Sequence, residues 1–303
     1  MSKTLPRYPV YLPSKGRFLP ERALTVRTLN RDGVPFRVVV EPKEAEDYAR
    51  LVGDERVLVL PKDDNGSSTP ARNFIMEHSI AEGHERHWCL DDNMNEFRRR
   101  VNTDRIPCEA GIALSVCEDF SDRYTNVAIS GPSYMSLVFP GVKPPYFLNS
   151  HVYSCMLLNN AMPFRWRLPY NEDTDLCLQA LASGEWVTIL FNAFMVNKIR
   201  TMTMKGGNTD DLYAADGRLK MARILERTWP GVVTVSRRYG RPQHVVNWKK
   251  FETPLVRRTD IDWDNMPAVD ERGMKLTSVR EVKSPVLKQY LADGGLPPQT
   301  EEA

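Results

Sequence analysis

The sequence predicts an α/β fold built on a mostly parallel sheet, and three observations carry the expectation. Short apolar or β-branched runs alternate with helix-period segments through residues 8–90, which is the spacing of βαβ units. Polar and charged side chains follow those runs directly, at the carboxyl ends of strands where open α/β sheets bind ligands. Residues 252–303 are proline-richer and weakly periodic, so they read as an extension that wraps the domain or is partly irregular.

Tyr8 to Leu12 alternates and runs into Pro13-Ser14-Lys15-Gly16-Arg17, a strand and its polar exit. Pro20 to Arg31 has helical spacing, with Gly33 as its stop. Phe36 to Val40 is a buried second strand ending at Glu41-Pro42, Glu44 to Val52 a short helix, and Val57 to Leu60 a third strand. Asp63 to Thr69 is a loop, and Pro70 suits the first turn of a helix over Ala71–Glu82. His87 to Leu90 is the fourth strand. Asn95 to Arg105 contains Arg98-Arg99-Arg100, Pro107 to Tyr124 reads as a helix, and Asn126 to Ser130 as a strand closed by Gly131-Pro132-Ser133. Leu148 to Leu158 reads as one apolar strand. Asn171 opens a helix over Glu172–Ala182, Gly184 ends it, and the strand Trp186–Phe191 follows. Lys198 to Asn208 is polar, with Gly206-Gly207 near its end, and Asp210 to Thr228 reads as helical. There is no internal repeat.

The 303 residues suffice for one large domain or two smaller ones, and a net charge of +2 excludes a globally basic nucleic-acid coat while permitting a local basic face. The five cysteines (Cys89, Cys108, Cys117, Cys155, Cys177) lack metal-ligand spacing and read as reduced thiols of a cytoplasmic protein. No apolar stretch approaches about 18 residues and no signal-peptide core is present, so a soluble intracellular chain with no membrane partner is expected.

The chain is organised around His87-Trp88-Cys89-Leu90-Asp91-Asp92-Asn93. Two adjacent carboxylates repel each other and are costly to desolvate, and a hard divalent cation would resolve both problems. The plain alternative is a polar turn closing a strand. Ser14-Lys15-Gly16-Arg17, Glu41 and Asp91-Asp92-Asn93 all fall at strand ends, and their convergence favours a nucleotide or nucleotide-sugar site. A second acid group, Asn171-Glu172-Asp173-Thr174-Asp175, opens a helix. Capping and the helix dipole explain acids there, but three exceed what capping needs. Together the two acid groups form the pattern of a metal site plus a base.

The acidic turn after an apolar strand resembles the Asp-x-Asp motif of GT-A-type nucleotide-sugar glycosyltransferases, and Glu172 to Gly184 resembles the acid helix on the acceptor side of that fold. Tyr11 to Arg17, Gly33 to Pro42, Ala71-Arg72-Asn73 and His87 to Asn93 more closely resemble the TET-associated glycosyltransferase family of phages. Lys205-Gly206-Gly207-Asn208 and Arg238 to Trp248 add to the likeness, which spans about residues 8–251. The resemblance implies a GT-A-like single domain over 1–251, with a nucleotide-sugar half of about 1–105 and an acceptor half of about 106–251, before the extension 252–303. It implies transfer of a sugar, from UDP-glucose or UDP-GlcNAc, to 5-hydroxymethylcytosine in DNA, in functional association with a 5-methylcytosine dioxygenase. The location implied is cytoplasmic, the host cytoplasm for a phage-encoded chain.

On this resemblance Pro13, Ser14, Lys15, Arg17, Glu41, Arg72, Asn73, Asp91, Lys205, Gly206 and Gly207 bind the donor. Asp91, Asp92 and Asn93 hold Mn or Mg, although an amide at the last position is a weaker cation ligand than the carboxylate of the family pattern. Lys15, Arg17, Arg72 and Lys205 would then carry more of the phosphate charge. Asp173, beside Glu172, is the base for an inverting reaction, because a primary hydroxyl needs one near neutral pH. His151 and His244 are alternatives. Arg98-Arg99-Arg100, Arg237-Arg238 and Arg241, with Tyr239 and Trp248, offer phosphate contacts and stacking surfaces for DNA, or are solvated charges. The rival readings are a glycosyltransferase for a protein or glycan acceptor, a metal-dependent nuclease using Asp91, Asp92, Glu172 and Asp173, and a non-catalytic DNA-binding module.

Overall fold

The computed structural model describes residues 4–63, 66–101, 104–138, 144–199, 217–238 and 240–267. The expectations placed on Lys205, Gly206, Gly207, Tyr239 and the end of the extension lie outside the described residues.

The chain begins with β1 (Val10–Pro13), α1 (Leu24–Asp32), β2 (Arg37–Val40), α2 (Ala45–Val52), β3 (Val57–Val59), α3 (Thr69–Ala81) and β4 (Arg86–Leu90). The order β3-β2-β1-β4 is parallel throughout. The reason is legible in β2, whose Val38, Val39 and Val40 are all buried, as parallel strands covered on both faces require. Alternate side chains divide between two cores. Val10, Leu12, Val38, Val40, Trp88 and Leu90 pack with Leu29 of α1. Tyr11, Val39 and Cys89 face the other way, onto Ile75 and Met76 of α3.

Beyond β4 come β5 (Met94–Val101), β6 (Asp104–Cys108), α4 (Ala110–Ser121), β7 (Val127–Tyr134), β8 (Tyr146–Leu148), β9 (Cys155–Asn159), α5 (Glu172–Ala182), β10 (Val187–Lys198), α6 (Gly217–Thr228), β11 (Val233–Arg238) and β12 (Arg241–Val246). The sheet continues β4-β9-β7-β10-β5-β6, with β8 also paired to β10, while β11 and β12 form a separate hairpin. β9 runs antiparallel to both β4 and β7, so this side of the sheet is mixed. The architecture is α/β and GT-A-like. Among the described residues no helix is long and apolar enough to cross a membrane.

Three local expectations are corrected. Leu148 to Leu158 is two strands, because Asn149 (φ 53°) and Ser154 (φ 28°) leave the extended region between them. β5 and β6 pair antiparallel, and Pro107 pairs with Arg98 instead of opening a helix. A proline is tolerated there because β6 is the sheet edge. The first helix starts at Leu24, not Pro20.

Gly131 lies on β7 beside the start of β9, and a Cβ at this position would run into the carbonyl of Cys155. Gly131→Ala is expected to lose about 1–3 kcal/mol of stability, the usual cost of forcing atoms into a packed interior. A urea midpoint equal to that of the unaltered chain would show that the strands do not approach this closely.

Candidate active site

The carboxyl ends of β1, β2 and β4 open into one cavity lined by Ser14, Arg17, Glu41, Arg72, Asp91 and Asp173, among others. The exit of β1 is tied down where Ser14 N donates to Val39 O at 3.1 Å. The Ser14 hydroxyl donates to Asp92 Oδ2 at 2.6 Å, and the buried Arg17 guanidinium holds Asp92 Oδ1. Burial nevertheless leaves the Asp92 carboxyl above its ordinary value, outweighing the pull of Arg17. Glu41 ends β2 buried between Lys15 (3.2 Å) and Lys43 (2.6 Å). Burial pushes its carboxyl up, but the two lysines bring it below the usual range.

Asp91 is gripped at both oxygens. Arg72 Nη2, from α3, donates to Oδ1 at 2.7 Å, and Lys198 Nζ, from the end of β10, donates to Oδ2 at 2.5 Å. Burial opposes ionisation, yet Lys198 and Arg72 hold the carboxyl down at about 2. Arg72 also lies over the ring of Trp166 at 4.6 Å. Asn73 does not line the cavity: its amide donates to Trp166 O at 2.8 Å and its oxygen accepts from Trp166 N at 3.0 Å. That pair fastens the backbone which carries the ring under Arg72, so Asn73 acts on the site at one remove.

The acidic turn does not fit the divalent ion expected on Asp91, Asp92 and Asn93. Each Asp91 oxygen already holds a cation, and the oxygens of Asp92 hold Arg17 and Ser14. The Asn93 amide donates to Ile199 O at 2.8 Å, clasping the end of β10 to the turn. Among the described residues no group of three or more His, Cys, Asp or Glu side chains could hold a metal ion. A nuclease-type pair of metals meets a further obstacle, since Arg72 stands between Asp91 and Glu172, 3.6 Å from the latter.

The opposite wall is the start of α5. Asn171 enters it with φ 52°, without a side-chain cap. Glu172 accepts from Ser68 Oγ at 2.9 Å, and burial raises its carboxyl above the ordinary value despite Arg72. Asp173 accepts from Thr174 N at 2.7 Å and lies 3.3 Å from His151 Nε2. Burial opposes its ionisation, but His151 holds Asp173 well below the usual carboxylate range. Asp175, the third acid, is fully buried and accepts two bonds from Arg167 (2.9 and 3.0 Å), one from Trp229 Nε1 (2.7 Å) and one from Gln179 (2.9 Å). Its work is structural, joining α5 to α6. Asp175→Ala is expected to cost about 1–3 kcal/mol, because Trp229 and Gln179 lose their acceptor while the half-exposed Arg167 is solvated. A thermal midpoint unchanged by that substitution would sink this assignment.

His151 is therefore at the site, stacked nearly parallel to Trp248 with ring centroids 6.1 Å apart. His244, on β12, is drawn down to about 4 by burial and by His151. The arginine run Arg98-Arg99-Arg100 lies on a strand, not a helix face. Arg98 pairs with Glu96 at 2.7 Å, and Arg100 is half-buried, which lowers its pKa. Arg237 is exposed and Arg241 half-buried on the β11–β12 hairpin. Lys198 carries no mark in the sequence beyond closing a long apolar strand that ends near the acidic turn.

Residues 8–207 match the model of the TET-Associated Glycosyltransferase family. No curated protein matches the chain.

Proposed function

We propose, from the premise that this chain belongs to the TET-associated glycosyltransferase family and is a glycosyltransferase, that it moves a sugar from a UDP-linked donor to the hydroxymethyl group of 5-hydroxymethylcytosine in DNA. One observation carries the reading: a cation-lined donor side and an ionised, oriented carboxylate face each other across a single cavity. Lys15, Arg17, Arg72 and Lys198 border the place where a diphosphate leaving group gathers charge, and fixed charges there stabilise the transition state. Glu41, at the end of β2, accepts hydrogen bonds from the uracil or ribose.

In an inverting transfer the acceptor oxygen bonds to the anomeric carbon as the bond to the diphosphate breaks and the electron pair leaves with the phosphate. The hydroxyl proton passes to Asp173. His151 and Thr174 N fix that carboxylate from two sides, so its free lone pairs point in a set direction. The acceptor hydroxyl is supplied by oxidation of 5-methylcytosine, the chemistry with which the family name associates the enzyme. In this reading Arg237 and Arg241, on the β11–β12 hairpin, contribute contacts to DNA phosphates, which makes binding salt-dependent.

The test is a mass-spectrometric transfer assay with UDP-glucose and UDP-GlcNAc on oligonucleotides carrying cytosine, 5-methylcytosine or 5-hydroxymethylcytosine. A sugar-sized mass gain on the hydroxymethylated strand alone is expected. Donor hydrolysis without DNA modification would move the acceptor to a protein or glycan.

A further inference from the structure

We infer that Lys198, with Arg72, supplies the positive charge at the acidic turn that a divalent ion would otherwise bring, so that the nucleoside diphosphate is bound by protein cations alone. This inference rests on reading the cavity as a nucleotide-sugar site, and deepens it.

Three observations support it. First, the lysine is built in. The pairing of β10 with β5 shifts register between Asn197 and Lys198, and such bulges re-aim a side chain. Lys198 Nζ then donates to Asp91 Oδ2 at 2.5 Å and Ser154 Oγ at 2.6 Å, and it lies 3.4 Å from Tyr134 Oη. Its side chain is 15 % exposed, so the ammonium is largely withdrawn from water yet borders the cavity.

Second, Asp91 works as a clamp for cations. With Arg72 on one oxygen and Lys198 on the other, the trio carries a net single positive charge. Third, four cations, Lys15, Arg17, Arg72 and Lys198, line the cavity itself, where the charge of a diphosphate would be met.

The experiment is calorimetric titration of the full chain with UDP, in EDTA and in Mn²⁺, with uridine as the phosphate-free control. The unaltered chain is expected to bind UDP with the same Kd in both buffers. Lys198→Met is expected to weaken UDP about tenfold or more in EDTA while leaving uridine unchanged, as loss of a charge-assisted contact does. Its freed Asp91 oxygen is also expected to take up Mn²⁺, visible by electron paramagnetic resonance and absent before substitution. A merely structural lysine would not weaken UDP while sparing uridine.

Should Lys198→Met fail to fold, Lys198→Gln keeps a hydrogen-bond donor for Asp91 Oδ2, loses the charge, and is expected to show the same UDP defect. UDP binding by the unaltered chain only when Mn²⁺ is present would overturn the inference. So would undiminished UDP binding in EDTA by either variant. In those cases uridine still binds and the nucleotide site stands. If neither UDP nor uridine binds the unaltered chain, the nucleotide-sugar reading falls, and this inference falls with it.

Discussion

Asp173→Asn is expected to bind the UDP-sugar as tightly as the unaltered chain and to transfer it about 10²–10⁴ times more slowly. Asparagine keeps the shape and an oxygen for Thr174 N, so the N-terminal turn of α5 survives while the proton acceptor is lost. A fall in kcat without a change in donor affinity is the signature of an interaction made only in the transition state. Transfer at an unchanged rate would reduce Asp173 to a helix-start acid. The pH profile adds a second check. A carboxyl held well below its usual range is ionised throughout neutral pH, so Asp173 contributes no acid limb between about pH 5 and 8. Glu172 is shifted the other way by burial. An acid limb in that window, abolished by Glu172→Gln, would hand the role of base to Glu172.

Asp91→Ala carries the second large effect, and it is on stability as well as binding. The substitution leaves Lys198 without a carboxylate and Arg72 with only Glu172, 3.6 Å away, at a cost of about 3–5 kcal/mol. Donor binding is expected to be lost as well, because both cations lose their anchor. The pH dependence follows from the depressed pKa. The Asp91 carboxyl titrates near 2 in the folded chain, against an ordinary value of 3.8. Its contribution, about 2 kcal/mol, is therefore full above about pH 4 and disappears as the pH falls through 2. Urea midpoints of the unaltered chain should drop over that interval more steeply than those of Asp91→Ala. Parallel curves would show that Asp91 contributes nothing to acid unfolding.

The parallel half of the fold was legible because its signals are local. Val38 to Val40 announces a strand covered on both faces, and Pro70 marks the start of α3. The same holds for Ser14, Arg17, Glu41, Arg72 and Asp91, which the order of βα units alone brings to one edge. The break between β8 and β9 was not legible, since Asn149 and Ser154 adopt backbone angles that nothing nearby in the sequence demands. Asp175 looked like part of a catalytic cluster because its partners, Arg167 and Trp229, are revealed only by tertiary packing. Lys198 was hidden for the same reason. The acidic turn lies at the end of β4 with Arg72 and Lys198 on Asp91 and Arg17 on Asp92, and a carboxylate pair reads alike in the sequence whether it awaits a metal or already holds an ammonium.

The grip on the acidic turn has a consequence for how the molecule assembles. Lys198 reaches Asp91 across 107 residues of chain, and Ser68 reaches Glu172 across 104. Contacts so distant in sequence demand that long loops close before any reward arrives, which slows folding. A nascent chain that has released only residues 1–93 therefore owns most of the donor-side sequence signals and no working cavity. On the function proposed above, nucleotide capture is switched on late, when β10 docks. Any truncation before that strand should yield a polypeptide blind to nucleotide, however well its parallel half folds.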